Sequence, residues 1–363
     1  MLSKACIVGI YQRKLEYIAA EGVELLVAVP PFWKDERGET HLERAFTDGY
    51  TLHATPIHLN GNFHLHHYPA LPGLIRAFQP HIVHIDEEPY NLATWHALAH
   101  AQRCGAKTLF FTWQNIHRQY PPPFVWGERW TMRQADYALA GTDSAANVYR
   151  EKGYTGPIAV IPQFGVDAAI FQPTAARPER PFTVGYVGRL VPEKGLDSLL
   201  RALGGLNGAW QARFVGGGPH RPPMHALADE LGIAERLTFI SQIPSVQMPA
   251  QYHEMDVLVL PSLTRPNWKE QFGRVLIEAM ASGVPVIGSD SGAIPGVVGD
   301  AGLIVPEGDT AALTDALQQV RDDNDLCWQL REAGRHRALD HYTHQQVAAQ
   351  TVAVYRQMIA GYS

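Results

Sequence analysis

Two carboxylates eight residues apart, Glu270 and Glu278, enclose a Phe-Gly pair in the stretch KEQFGRVLIEAM at 269–280. The second lies in an otherwise apolar run of Val275, Leu276, Ile277, Ala279 and Met280. A carboxylate withdrawn from water without donors is costly, so it must shift its pKa or find partners. At this spacing one acid can accept the hydroxyls of one end of a polyhydroxylated ligand and the other acid those of the opposite end. A structural use also fits. Arg274 and Glu278 stand four apart on a helix, a pair worth roughly 0.2–0.5 kcal/mol on a surface. The apolar flanks sit poorly with a surface helix.

Three further features carry chemistry of the same kind. Gly188-Arg-Leu-Val-Pro-Glu-Lys-Gly195 follows a strand-like run and supplies Arg189 and Lys194 in a strand-to-helix turn. A guanidinium grips phosphate bidentately and an ammonium acts as a point charge, so the two together attract a polyanion. A plain surface turn with Glu193 paired to a lysine carries equal weight. Gly216, Gly217 and Gly218 follow Val215 and let a ligand approach the backbone closely. Tight turns explain most such runs, and this one is neither a Walker loop nor a GxGxxG fingerprint. Finally, a helix starting near Phe272 and Gly273 offers unpaired N–H groups and a positive dipole end. Glu278 then lies roughly 7–8 Å along that helix.

The elements needed to hold these loops are legible. In the first half, short aliphatic runs read as strands at Ala5–Ile10, Glu24–Val29, His81–Ile85, Lys107–Phe111, Tyr137–Ala140 and Ile158–Ile161. Helical stretches such as Asn91–Arg103 and Ser144–Lys152 separate them. The segment PTAARPERP at 173–181 reads as a linker. Beyond it strands recur at Phe182–Val187, Gln211–Val215, Arg236–Ile240, Asp256–Leu260 and Pro285–Gly288. Alternation of this kind predicts α/β architecture with parallel sheets. The expected division is an N-terminal domain at 1–172, a second domain at 173–342, and a closing helix at 343–363 that packs back on the first. Ligands of open α/β sheets sit at the carboxyl ends of strands, so two facing sheets predict a deep cleft.

Composition narrows the classes. The 363 residues are 46% hydrophobic and 18% charged, with a net charge of −6, which argues against nucleic acid as the main partner. Cys6, Cys104 and Cys327 are too few and too scattered for a disulfide framework or a CxxC metal site. MLSKACIVGI lacks a signal-peptide core, and no apolar run approaches the roughly 18 residues of a membrane span. A cytoplasmic, soluble protein is expected. Five histidines between His53 and His67 carry no interleaved carboxylate or cysteine, so they read as histidines of a polar loop rather than a metal site, and no DxD-type acidic pair stands beside the loop motifs to hold a metal.

In order and spacing, GRLVPEKG, GGGP and the E-x7-E run continuing as EAMASGVPVIGSDSGAIPGVV resemble the donor-binding half of the retaining glycosyltransferase family 4, of the GT-B fold. The likeness spans Gly188 to Gly302, with a looser echo in VIPQFGVDAAIF at 160–171. It implies two doubly wound Rossmann-like domains facing across a cleft. The N-terminal domain would bind the acceptor and the second a nucleoside-diphosphate sugar. Arg189 and Lys194 would hold the diphosphate. Glu278 would accept from ribose hydroxyls, with water replacing them in the free protein, and Glu270 from hydroxyls of the sugar. Backbone at Gly188, Phe272, Gly273 and Arg274 would meet sugar and phosphate. Gly216–Gly218 would line the nucleotide and Ile243 would face the base. The implied reaction moves a hexose, glucose or mannose, from a UDP- or GDP-sugar to a carbohydrate, lipid-linked or small-molecule acceptor. Configuration would be retained, without a metal or other cofactor.

The sequence departs from the family at one place. Many relatives carry a His-Asp pair after the strand corresponding to Lys107–Phe111, whereas this chain has Gln114 and Asn115, with His117 two residues on. An amide can position a hydroxyl but cannot titrate, and Asn115 is taken as a positioning group. Asp86, Glu87 and Glu88 fit either the acceptor side or a solvated loop. Aromatics in PPFWKD at 30–35 and PPPFVWGERW at 121–130 suit stacking on a sugar or lipid, or simple packing. No strongly basic amphipathic helix is evident, so membrane contact is at most peripheral. Two rival classes share the fold, a sugar-nucleotide epimerase and a non-catalytic sugar-nucleotide binding module. Product analysis separates the first, and the intact Arg189, Lys194, Glu270 and Glu278 weigh against the second.

Overall fold

The computed structural model describes residues 1–35, 38–174 and 180–361. The chain forms two compact units. One comprises Met1–Gly165 with His344–Ser363, the other Val166–Thr343. The division therefore falls between Gly165 and Val166 rather than at 172/173. Residues 166–172 belong with the second unit for a physical reason. Val166 donates to the Tyr342 carbonyl at 2.7 Å, and Phe171 packs on the buried Tyr252 ring at 6.0 Å. Most of the linker read at 173–181 lies outside the described residues.

In the first unit the strands are β1 (Leu26–Val29), β2 (Phe32–Asp35), β3 (Gly38–His41), β4 (Thr51–Ala54), β5 (Ile82–Ile85), β6 (Lys107–Thr112), β7 (Tyr137–Ala140) and β8 (Ile158–Val160). β1 pairs with β4, and β5 through β8 pair in sequence, all in parallel. A single residue joins these two ribbons. Leu2 bridges Ala28 on one side and Ile85 on the other. The order is thus β4-β1-Leu2-β5-β6-β7-β8, and the chain reverses direction of growth at Leu2. The strand expected at Ala5–Ile10 is absent. Those residues form two 3-10 turns, Ala5–Ile7 and Gly9–Gln12. The Gln12 amide donates to the Cys6 carbonyl at 2.9 Å and the Ser3 hydroxyl accepts from the Cys6 amide at 3.3 Å. A short apolar run is compatible with either a strand or buried turns, and here local side-chain bonds decide. β2 and β3 form an antiparallel ribbon outside the sheet.

The helix His344–Ala360 completes this unit's core. Val347, Ala348, Val352, Tyr355 and Met358 pack with Leu15 and Ile18 of the helix Arg13–Ala20 and with Val27, Val29 and Leu109 of the sheet. The Tyr355 hydroxyl and the buried His84 Nδ1 also share a hydrogen bond, across 2.6 Å, which fixes the helix to β5.

The second unit holds β9 (Phe182–Val187), β10 (Trp210–Val215), β11 (Leu237–Ile240), β12 (Val257–Leu260), β13 (Val286–Ser289) and β14 (Leu303–Val305). Its six parallel strands run β11-β10-β9-β12-β13-β14. That is the doubly wound Rossmann order, with its switch point between β9 and β12. Both units are therefore α/β and doubly wound, as the alternation of runs implied. β12 and β9 from Thr183 onward are buried on both faces, which explains the unbroken aliphatic sequence VLVL of β12.

Gly195 shows how closely the loops above the switch point are packed. It has φ +67° at the start of the helix Leu196–Gly205, and a Cβ there would lie 1.9 Å from the Pro261 carbonyl oxygen. Gly195→Ala should lower the stability of the chain by more than about 1 kcal/mol, through left-handed strain and that clash. A urea midpoint equal to the parent's would refute this account of the loop.

Candidate functional site

At the switch point of the second unit the expected residues converge. The loop after β9 carries Gly188, Arg189 and Lys194, and the loop after β12 carries Ser262 and Glu270. Lys194 Nζ lies 2.5 Å from Glu270 Oε2, and the Ser262 hydroxyl donates to the same oxygen at 2.8 Å. The Trp268 ring sits beneath the ammonium, 4.9 Å from its centroid. Glu270 is buried, while Arg189 is exposed and bears no side-chain hydrogen bond or ion pair among the described residues. One cation is thus held against a carboxylate and the other stands open.

The glycines serve close packing of loops. Gly188 donates to the Val215 carbonyl at 3.0 Å and Leu190 to the Gly217 carbonyl at 2.9 Å. Gly216 has φ +138°, and a Cβ would fall 2.0 Å from the Gly188 carbonyl oxygen. Gly218 has the same constraint against the Leu190 carbonyl, at 2.2 Å, whereas Gly217 faces open space. The two loops therefore form one continuous backbone surface beside Arg189. Ile243 lies half-buried in the loop after β11.

Glu278 needs a correction. It is buried on the helix Arg274–Ala281, but its donors belong to the protein. The Tyr252 hydroxyl donates to Oε2 at 2.7 Å and Arg274 Nε reaches Oε1 at 2.9 Å. Burial, reinforced by the Glu278 charge, pushes the Tyr252 hydroxyl well above its ordinary pKa, so it stays a donor. The pair four apart is real, with Glu278 buried and Arg274 partly exposed. No ribose or water is required to keep this charge, although two of its roughly four lone-pair positions are not used by these bonds. Gly273 caps the same helix at φ +77°, and Phe272 is buried against Tyr342 at 5.8 Å.

The carboxyl ends of the first unit's strands hold a second cluster. Asp86 accepts from the Ser3 hydroxyl at 2.5 Å. Glu87 is buried 3.8 Å from Lys4 Nζ and 3.6 Å from His66 Nε2. Lys4 in turn lies over the Trp33 and Phe63 rings, at 4.3 and 4.2 Å. Burial opposes ionisation of Glu87, yet Lys4 and His66 outweigh it and hold the carboxyl down to about 2. Glu88 behaves oppositely. Burial, with the Glu128 and Glu87 charges, pushes it up to about 7 despite bonds from the Trp113 amide and the Thr112 hydroxyl, each 2.7 Å. The solvated-loop alternative for these acids is set aside.

Gln114 and Asn115 are both buried. Lys152 donates to Gln114 Oε1 at 2.7 Å and to Glu128 at 2.5 Å, while Gln114 Nε2 donates to the Tyr120 hydroxyl at 3.3 Å. The amide is therefore locked with its oxygen inward. His117 is exposed and turned to Glu151 at 3.4 Å. Among the described residues, no group of three or more His, Cys, Asp or Glu side chains could hold a metal ion. Ser262, Trp268, Tyr252 and Lys4 escaped sequence reasoning, because their partners lie 8 to 83 residues away with no motif between.

Two family models cover most of the chain. One described as Glycosyltransferase Family 4 matches residues 12–169, and one described as Glycosyl transferases group 1 matches residues 168–337. The chain belongs to glycosyltransferase family 4. A GDP-mannose-dependent alpha-(1-6)-phosphatidylinositol monomannoside mannosyltransferase of Mycolicibacterium smegmatis is 37% identical over 171 residues, 45% of this chain and 44% of that protein. A D-inositol 3-phosphate glycosyltransferase of Mycobacterium marinum is 30% identical over 264 residues, 67% of this chain and 54% of that one. The chain spans about half the length of these curated relatives. Among solved structures, sucrose-phosphate synthase from Thermosynechococcus elongatus gives a TM-score of 0.69 at 24% identity, covering 97% of this chain and 93% of that one. Anabaena HepE in complex with UDP gives 0.73 at 16%, covering 98% of both. The fold is GT-B.

Within this family-4 chain, Glu88 makes a distinct pH signature. It keeps its proton up to about pH 7 when folded, against the ordinary 4.5. The folded state therefore binds more protons in that window, and stability falls as pH rises through it. Glu87 acts in the other direction and only below 4.5. Glu88→Gln should flatten the fall in thermal midpoint between about pH 4.5 and 7. Identical pH slopes for parent and variant would remove this assignment.

Proposed function

We propose that the chain is a retaining hexosyltransferase that takes glucose or mannose from a UDP- or GDP-sugar, without a metal, and passes it to a carbohydrate, lipid-linked or small-molecule acceptor. The observation that carries this reading is the Lys194–Glu270 pair across the β9/β12 switch point, beside the unpaired Arg189. Family membership supports sugar transfer, and a relative named for GDP-mannose favours mannose among the two hexoses.

Departure of a nucleoside diphosphate builds negative charge on the leaving phosphate oxygen. Fixed cations stabilise that charge more in a preorganised site than in water. On this reading Arg189 grips the diphosphate from its open side. Lys194 turns part of its donor capacity from Glu270 to phosphate, and Glu270 is freed to accept a sugar hydroxyl. The glycine surface of Gly188 and Gly216–Gly218 lets the nucleotide lie against backbone. Phe272, Gly273 and Arg274 meet sugar and phosphate at the helix start. Glu278 takes ribose hydroxyls with its remaining lone pairs, and Ile243 borders the base. The leaving phosphate takes the acceptor's proton on the face it vacates, so no side-chain nucleophile is needed. Asn115 positions a sugar hydroxyl where relatives carry a titratable pair.

Thermal unfolding with UDP, GDP, ADP and their sugars, with EDTA and with Mg2+, tests the donor site. A ligand at a hundred times its dissociation constant stabilises the native state by roughly 2.7 kcal/mol. One nucleotide class should raise the midpoint in EDTA. Lys194→Ala should lose that shift and reduce turnover at least about a hundredfold, the scale of one lost charge-stabilising donor. No shift from any nucleotide, or full turnover by Lys194→Ala, would overturn the proposal.

A further inference from the structure

The helix Phe124–Gln134 of the first unit carries an outward stripe whose charges the rest of the unit does not balance. Trp126 is 63% exposed, and Arg129 and Arg133 follow at three and seven residues on the same exposed face. Pro121, Pro122 and Pro123, just before the helix, are exposed as well. The inner face has no freedom to turn. Gly127 lies so close to Trp95 that a Cβ would fall 2.0 Å from its ring, and the buried Thr131 hydroxyl donates to the Pro89 carbonyl at 3.2 Å. Trp126 is therefore held outward, with no ring partner among the described residues.

Three acids close to this helix in the sequence are already engaged. Glu128 points inward to Lys152 and to the Tyr149 hydroxyl, at 2.5 and 3.0 Å. Asp136 pairs with Lys107 at 3.1 Å, and Glu151 with His117 at 3.4 Å. Arg129 and Arg133 have no such partner among the described residues. Two open guanidinium groups therefore stand beside an exposed indole. The indole has an apolar body and a polar edge suited to a headgroup boundary, and arginine stems can lie along acyl surface while their heads meet phosphate.

We propose that this face, Pro122 with Trp126, Arg129 and Arg133, docks on an anionic lipid bilayer. The stripe runs about 10 Å from Trp126 to Arg133 at the rise of an α-helix, so the helix lies flat on the surface. Its first turn follows the loop from the carboxyl end of β6, the edge that also carries Glu88, Trp113 and Tyr120. A lipid-borne headgroup would therefore be presented at that edge of the unit.

Sedimentation with vesicles tests this without any turnover, so its outcome is independent of the proposed reaction. The full chain is spun with phosphatidylcholine vesicles and with vesicles containing about one-third phosphatidylglycerol. Binding is expected only to the anionic vesicles and should weaken as salt is raised. Arg129→Gln with Arg133→Gln should weaken it at least about tenfold, and Trp126→Ala should weaken it at any salt. Trp328→Ala, an equally exposed indole in the second unit, should bind as the parent does. Circular dichroism confirms that each variant is folded. Equal binding to neutral and anionic vesicles, no binding to either, or parent-like binding by the Trp126 and arginine variants would each overturn the proposal.

Discussion

The ion pair between Lys194 and Glu270 is the constraint on which the second unit's loops depend. It joins the segment after β9 to the segment after β12, the two strands between which the sheet reverses its order. Backbone follows the same line, since Leu263 donates to the Glu193 carbonyl at 2.8 Å and Ala293 to the Glu270 carbonyl at 3.1 Å. Such a partly buried pair is poor value as a stability device, because desolvation cancels much of its attraction. Its effect is geometric. It holds the Lys194 and Glu270 side chains together at the mouth of the switch point. Removing either partner leaves the other charge half-buried and unmatched, which is why the site and the local fold cannot be separated here.

The two acids of the opening motif have different fates because they sit on different elements. Glu278 is on the helix Arg274–Ala281 and is held by Tyr252 and Arg274, so its position is set by the unit itself. Glu270 is in a loop and is held by a cation that has another proposed use. A carboxylate bound to a tyrosine and an arginine changes little when a ligand arrives. On the proposed reaction, Glu270 redistributes its bonds when Lys194 turns to phosphate, and the eight-residue spacing then combines a fixed acceptor with an exchangeable one.

Much of this was legible. β9, β10, β12 and β13 were read to within a residue or two, because short runs rich in β-branched, aliphatic and aromatic residues are bounded by Gly and Pro, most plainly in the buried VLVL of β12. The loop motifs followed, since each begins where such a run ends. Three things were hidden, each for its own reason. Ala5–Ile10 has the composition of a strand, but Ser3 and Gln12 fold it into turns. The ribbon of β2 and β3 is mostly exposed, so it lacks the apolar alternation that would reveal it. Tyr252 reaches Glu278 from 26 residues away, and no local pattern records such a bond. The unit boundary was misread because proline-rich composition marks where chain is extended, whereas the division follows contacts such as Val166 with Tyr342.

The two units use one sheet order for different chemistry. At the second unit's switch point, glycines keep side chains away and leave backbone and two cations beside an open surface. At the first unit's, between Leu2 and β5, side chains fill the space: Lys4, His66 and Glu87 form a neutralised cluster under the Trp33 and Phe63 rings. A backbone cradle with fixed charge suits a ligand of constant form such as a diphosphate. Aromatic faces and carboxylates of opposite protonation, Glu87 ionised and Glu88 protonated to about 7, suit a neutral hydroxylated one. Side chains can be exchanged without disturbing strand order, whereas the glycine contacts at Gly216 and Gly218 leave no room for a Cβ. On the proposed reaction, the donor half is therefore constrained by backbone geometry and the acceptor half is free to vary by substitution. That difference explains why the donor motifs could be recognised in the sequence and the acceptor could not.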